Sequence, residues 1–348
     1  MIKNGELEKQ KNDNSYSKLL FHPNFLKTIG AINDFNVTLP SYESNIYVDF
    51  SLLGYPPNAK ALLNLEQSQR YVLNARKGQN IYKSEILVSA YDESIQKFAG
   101  LEGIAYLTSH SLVIMKDDYV PLNLVTFYFY TRSKSLAEKS EYIKYSEDPE
   151  LSFKSDYIND RHSFLIDNIP EKTVLFVDGP LIGSQMSSKT RELNDNLLKK
   201  NIIPLFFVKN STSNLVTNYM TELKGKYNSD MHWSYRLLQP GERTCLFKYT
   251  DQTVYENAKI FFYLKSMKLS PQRIEFDIST YLQFPNETSN LFDLIYYMIL
   301  AQGDPKNPQI RPIAVAEKFA RATLKLIDLN KIMRSIGIVP TMNETRFN

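Results

Sequence analysis

Thr173-Val174-Leu175-Phe176-Val177-Asp178-Gly179 is an apolar run that stops on an acid. Its length and β-branched content are those of a strand buried on both faces, and the closing Asp-Gly is a turn signal. A second run of the same form, Asn45-Ile46-Tyr47-Val48-Asp49, lies upstream. Open α/β sheets place their ligand-facing groups beyond the carboxyl ends of the strands. If the two strands adjoin, Asp49 and Asp178 face one crevice and can share divalent cations, a geometry suited to phosphodiester hydrolysis. Local structure alone also accounts for an Asp-Gly pair, because Asp caps the next element and Gly takes positive φ without penalty. Asp49 is followed by Phe50 and lacks that explanation.

Beyond Asp178, a helix expected over Leu193–Lys200 leads to a further apolar strand, Ile203–Val208, and so to a β-α-β unit with parallel strands. The second strand ends in Lys209, which places Lys209 and Asp178 at one edge. Asn210-Ser211-Thr212-Ser213 follow Lys209. A solvated strand end has that composition, and so does a loop whose cation and small donors hold a phosphate.

Elsewhere, Ala61–Asn74, Ile81–Tyr91, Gly103–Met115 and Leu122–Thr131 have the β-branched and aromatic content of a strand meander. Two helical stretches are expected around Asp148-Pro149, within Lys134–Asp167. A helix over Asn214–Lys226, short segments at Ser234–Leu238 and Thr244–Tyr249, and strands at Ala258–Leu264 and Arg273–Asp277 follow. Helices at Asn290–Gln302 and Ile313–Ile332 come last. The expected organisation is a flexible segment over 1–17, one domain over 18–332 and a tail over 333–348, with an amphipathic helix over Tyr16–Ile32 leading in.

Composition limits the function classes. The chain has 348 residues, 43% of them hydrophobic and 13% aromatic, which is a globular and not a disordered composition. Lys plus Arg number 41 against 38 for Asp plus Glu, so the net charge of +3 does not announce a nucleic-acid binder and any basic surface is local. The single cysteine, Cys245, excludes an internal disulfide and a cysteine zinc cluster, and matches a reducing cytoplasm. Residues 1–17 are polar and charged and do not form a secretory signal; no stretch is apolar enough for a membrane span. His22, His110, His162 and His232 do not fall at metal-ligand spacing, and Walker, Gly-x-Gly-x-x-Gly and Gly-x-Ser-x-Gly motifs are absent. Trp233, Tyr235 and Arg236 are a candidate base-stacking cluster, although such clusters are more often core.

In chain order, Ile46-Tyr47-Val48-Asp49-Phe50-Ser51, then Val174–Leu181, then Asn201–Ser211 resemble the NurA nucleases. Ser229-Asp230, Leu238–Thr244, Phe261–Leu264 and Arg273–Phe276 continue the likeness, which spans Tyr42 to Ala320. The resemblance implies an α/β fold: a ribonuclease H-like mixed sheet flanked by helices, here with an elaborated β-rich meander and C-terminal helices. It also implies a cytoplasmic DNA nuclease that uses two Mn²⁺ or Mg²⁺ ions, forms a homodimer and acts with the hexameric HerA ATPase in resecting double-strand ends. Carried over by position, Asp49 and Asp178 are metal ligands, with a third carboxylate from the preceding helix, Asp160 or Asp167. Lys209 matches the family's lysine after the following strand and is expected to act in catalysis by neutralising charge on the phosphate; with Asn210 and Ser211 of its loop it is also the expected DNA contact. Two positions depart from the family pattern. Asp49-Phe50-Ser51 stands for Asp-Gly-Ser, and Ala316-Glu317 for Ala-His, so a non-cutting adaptor is the alternative unless Glu317 substitutes for the histidine.

Overall fold

A computed structural model describes residues 25–35, 61–84, 86–115, 118–141, 143–181, 187–220, 222–250 and 258–342. The chain divides into two compact units, Met1–Glu43 and Ser44–Asn348. In the first, Phe25–Asp34 form helix α1, within and just beyond the amphipathic helix expected there.

In the second unit the described residues build one sheet of twelve strands. They are β1 (Ala61–Asn64), β2 (Arg70–Val72), β3 (Leu87–Ala99), β4 (Ile104–Met115), β5 (Tyr119–Thr131), β6 (Ile143–Tyr145), β7 (Thr173–Asp178), β8 (Ile203–Val208), β9 (Glu242–Thr244), β10 (Phe247–Thr250), β11 (Ala258–Lys265) and β12 (Gln272–Asp277). Along the sheet the order is β1-β10-β11-β12-β8-β7-β3-β4-β5-β6, with β9 on β11 and β2 on β9. Strands β3, β4 and β5 form an antiparallel meander. Strands β7 and β8 then add parallel to β3 on its other side. The parallel strands need crossovers, and helices supply them: α4 (Pro149–Asn168) before β7 and α5 (Ser187–Lys199) between β7 and β8.

The remaining helices are α2 (Ala75–Lys83), α3 (Lys134–Ala137), α6 (Asp230–Leu237), α7 (Ile278–Gln283), α8 (Pro285–Gln302), α9 (Arg311–Lys325) and α10 (Leu329–Ser335). Helix α4 starts as its sequence dictates: Asp148 Oδ1 accepts the Leu151 N–H at 3.1 Å, and Pro149 occupies the first turn.

Strand β7 shows why the sheet is buried on both sides. Val174 and Phe176 enter one core with Phe262, Phe276, Phe292 and Ile295. Leu175 and Val177, pointing the other way, enter a second with Phe164, Leu165, Leu193 and Leu197. A strand clamped between two cores has no polar face until its end, where Asp178 emerges.

Two segments differ from the sequence expectation. Ala75–Lys83 is a helix, so the strand expected over Ile81–Tyr91 begins only at Leu87; Asn74 caps the helix by accepting the Lys77 N–H at 3.0 Å. Within the helix expected over Asn214–Lys226, residues 215–219 and 222–226 form turns. The buried carboxylate of Asp230 takes the N–H groups of Val216 and Thr217 at 2.8–3.1 Å, which ties the chain to a side chain at the point where a helix would nucleate. The strand expected over Ile46–Val48, and with it Asp49 and Phe50, lies outside the described residues.

Candidate active site

Strand β7 is paired on both edges, with β3 and with β8. Its parallel register with β3 runs to Tyr91 opposite Val177. The next step brings Asp92 level with Asp178, on the face shared by Ala90 and Phe176. Paired strands stand about 4.8 Å apart, so two acids meet at the sheet's centre. Helix α9 completes the group. It buries Ile313, Ala316, Ala320 and Leu324 and packs across β3, β4 and β5, which leaves Glu317 on the rim of its buried stripe. Carboxylate oxygens of Asp92, Asp178 and Glu317 lie within 4.8 Å of one another.

Lys209, from the end of β8, reaches into this cluster. Its Nζ is 2.6 Å from Asp178 Oδ2 and 3.0 Å from Glu317 Oε2. Arg321, one helical turn beyond Glu317, holds the other oxygen, Oε1, at 2.7 Å. Burial opposes the charge on Lys209, but Asp178 and Glu317 outweigh it and raise the ammonium's pKa. Burial likewise pushes the Glu317 carboxyl up, yet Lys209 and Arg321 bring it below the ordinary range. Asp92 feels Lys209 only weakly. Its Oδ1 accepts the Glu93 N–H at 2.8 Å, and burial, then the charge of Asp178, push its carboxyl up to about 7. Three converging carboxylates with one lysine among them leave an excess of negative charge in a half-buried place, and a hard divalent cation is the partner that such oxygen donors favour.

The two loops that carry Asp178 and Lys209 are held from beneath. Gly179 adopts φ of 111°, open to glycine and strained for other residues, and turns the chain away from the site. Leu181 then donates its N–H to Glu275 Oε2 at 3.0 Å. Glu275, fully buried on β12, also meets Lys259 Nζ at 2.6 Å and Arg273 Nε at 2.8 Å. Arg273 extends Nη1 to Ser211 Oγ at 2.8 Å and bonds Ser213 as well.

Of the residues expected from sequence, Asp178 and Lys209 are brought together as an ion pair. Asn210 is exposed on the loop after β8, and Ser211 has its hydroxyl engaged by Arg273 and Ser213. The structure places Asp160 and Asp167 elsewhere. On α4, Asp160 accepts the Tyr128 hydroxyl at 2.5 Å, and Asp167 is exposed in the last turn. The third carboxylate of the cluster is therefore Glu317, which arrives on α9 because α4 covers the opposite face of the sheet. Asp92 was missed by the sequence reading: it follows apolar residues up to Tyr91, but the strand runs on past it to Ala99, so no strand end marks it.

Fold and site together define a mixed α/β protein with a carboxylate centre: a three-stranded meander, two parallel strands beside it, and acids on the two central strands. Residues 167–321 match the family model described as the NurA domain, in line with the resemblance read from the sequence. Among solved structures, the chain is similar to the NurA nuclease from Sulfolobus solfataricus, at 11% identity and a TM-score of 0.43, over 80% of this chain and 87% of that one. It is also similar to NurA with manganese, at 9% identity and a TM-score of 0.34, over 72% and 92%. Endonuclease V from Ciona intestinalis, in complex with DNA, matches at 13% identity and a TM-score of 0.35, over 73% and 96%. No curated protein matches.

Proposed function

We propose that this protein is a metal-dependent DNA nuclease whose centre is Asp92, Asp178 and Glu317, with Lys209 as its cation. The observation that carries the reading is the convergence of three carboxylates within 4.8 Å at the edge where Lys209 also arrives. The donor set fits Mn²⁺ or Mg²⁺, being all oxygen and rich in negative charge. When bound, such ions supply a nucleophilic water and neutralise the leaving oxygen of a scissile phosphate, two ions doing so from opposite sides.

Each residue then has a part that follows from its contacts. Asp178 and Asp92, on adjoining rigid strands, would hold the metal without loop movement. Glu317 is oriented by Arg321, so its second oxygen stays aimed at the cluster. Lys209 supplies positive charge for the non-bridging phosphate oxygens, electrostatic stabilisation of the oxyanion-hole kind. In this reading Glu317 substitutes for the histidine of the family pattern.

The wider role proposed is 5′–3′ exonuclease and single-strand endonuclease action at DNA ends, as a homodimer with a HerA-type hexameric ATPase, in the cytoplasm. Among the described residues no helix is long and apolar enough to cross a membrane. The test is digestion of end-labelled linear DNA with Mn²⁺, Mg²⁺ or chelator, with and without the partner ATPase. Asp92→Asn, Asp178→Asn and Glu317→Gln should each lose cleavage by roughly a hundredfold or more. Wild-type cleavage by Asp178→Asn would overturn the assignment, and a wild-type protein that binds DNA but never cuts it would be the adaptor instead.

A further inference from the structure

Directly beyond Lys209, the loop Asn210–Thr212 forms one wall of a concavity of about 530 Å³. The opposite walls come from α6, through Met231, His232 and Tyr235, and from the turn before β12, through Lys268 and Ser270. Three properties of this surface point to one kind of occupant. The first is an accessible aromatic face. Tyr235 is 38% exposed although it sits on a helix whose other side buries Trp233 and Leu237. Lys265 Nζ lies 3.9 Å from its ring centroid and the Arg236 guanidinium 6.0 Å, so the ring is backed by cations.

The second property is positive charge beside the ring and on the rim. Lys265 spends its ammonium on the carbonyls of Tyr235 and Leu238, at 2.8 and 2.9 Å, and not on a carboxylate. Burial and then the nearby charge of Arg236 lower its pKa, and Glu242 opposes them in part. Lys265 is buried behind the ring, and Lys268 is the positive residue that lines the concavity itself. The third property is a set of neutral donors. His232 Nδ1 accepts the Asn228 N–H at 3.3 Å, which leaves Nε2 to carry the ring proton as a donor. Asn210, Thr212 and Ser270 line the same, mainly apolar, surface.

We propose that this concavity is the subsite for an unpaired nucleotide of single-stranded DNA, its base stacked on Tyr235 and its phosphate held by Lys268, one step along the strand from the phosphodiester at the carboxylate centre. Base-on-aromatic stacking within a basic groove is the chemistry by which single strands are gripped without sequence preference. A base inside a duplex has its faces covered by its neighbours and offers no such contact, so the subsite selects frayed or single-stranded ends. The inference rests on the nuclease reading of the adjoining centre, but binding can be measured without cleavage.

The experiment is the affinity of a fluorescein-labelled oligothymidine, followed by anisotropy in chelator at fixed salt, for the full chain and for Tyr235→Ala, Tyr235→Phe and Lys268→Ala. Tyr235→Ala should weaken binding by about tenfold, the value of one stacked base. Tyr235→Phe keeps the ring and should stay within about twofold, while Lys268→Ala should weaken binding and flatten its salt dependence. Affinity for a blunt duplex should be unchanged in the Tyr235 variants. Unaltered oligothymidine affinity in both Tyr235→Ala and Lys268→Ala would overturn the subsite, as would equal losses for single strand and duplex. Loss of single-strand affinity in Tyr235→Ala alongside undiminished cleavage by Asp178→Asn would support the subsite and remove only the nuclease assignment of the neighbouring carboxylates.

Discussion

The buried carboxylate of Glu275 accepts the backbone N–H of Leu181 at 3.0 Å, and the same carboxylate faces Arg273, whose Nη1 reaches Ser211 Oγ at 2.8 Å. Leu181 follows Asp178 by three residues and Ser211 follows Lys209 by two. One ion-paired node on β12 therefore fixes both loops that leave the site, and it does so from a strand that contributes nothing to the carboxylate cluster itself. Lys259 shares the charge of Glu275 at 2.6 Å, so the node is two cations on one anion, taken out of water.

Removal of the anion leaves both cations uncompensated in the core. Glu275→Ala should cost on the order of 3–5 kcal/mol of stability, read from denaturant midpoints. Glu275→Gln keeps the shape and an acceptor for Leu181, so it should fold better than the alanine variant while cleavage still falls, by roughly tenfold to a hundredfold, as the loops loosen. Unchanged stability in Glu275→Ala would show that the node is not holding the loops.

Lys209 competes with any metal for Asp178 and Glu317. Lys209→Ala should therefore bind Mn²⁺ more tightly, on the order of tenfold by titration calorimetry, because a positive charge has left the site. Cleavage per bound ion should drop by roughly a hundredfold, since the same charge no longer serves the phosphate. Weaker Mn²⁺ binding by the variant would mean that the lysine organises the carboxylates and does not oppose the metal.

His110, buried on β4 against Tyr91 at 2.7 Å, is held neutral: burial, then the charge of Arg161, bring its pKa down to about 4. The unfolded chain titrates this group near 6.5 and so binds the extra proton first. The stabilisation is complete above about pH 6.5 and is lost as pH falls through that value towards 4, by at most about 3 kcal/mol. Denaturant midpoints between pH 7 and 4 should slope less in His110→Phe than in the wild type; parallel slopes would assign the acid sensitivity to other groups.

Much of the site was legible locally. Asp178 and Lys209 stand out because each ends an apolar strand, and the parallel pairing of β7 and β8 follows from one short helix between them. Asp92 is harder to see because β3 runs on to Ala99, so its acid lies in mid-strand between Tyr91 and Glu93 and not at a boundary. Glu317 showed in sequence only as a departure from a family pattern, and Asp160 and Asp167 were equally good candidates by spacing.

The sequence alone determined the burial of β7 and β8 and the α/β class, since these depend on apolar periodicity, and its motifs in chain order carried the resemblance to the NurA nucleases. Only the tertiary structure decided which acids meet. Asp92, Asp178 and Glu317 are separated by 86 and 139 residues, and sheet register with helix packing brings their oxygens within 4.8 Å. A metal site is a matter of distances in space, and strand order sets those distances, whereas local sequence sets only the strands.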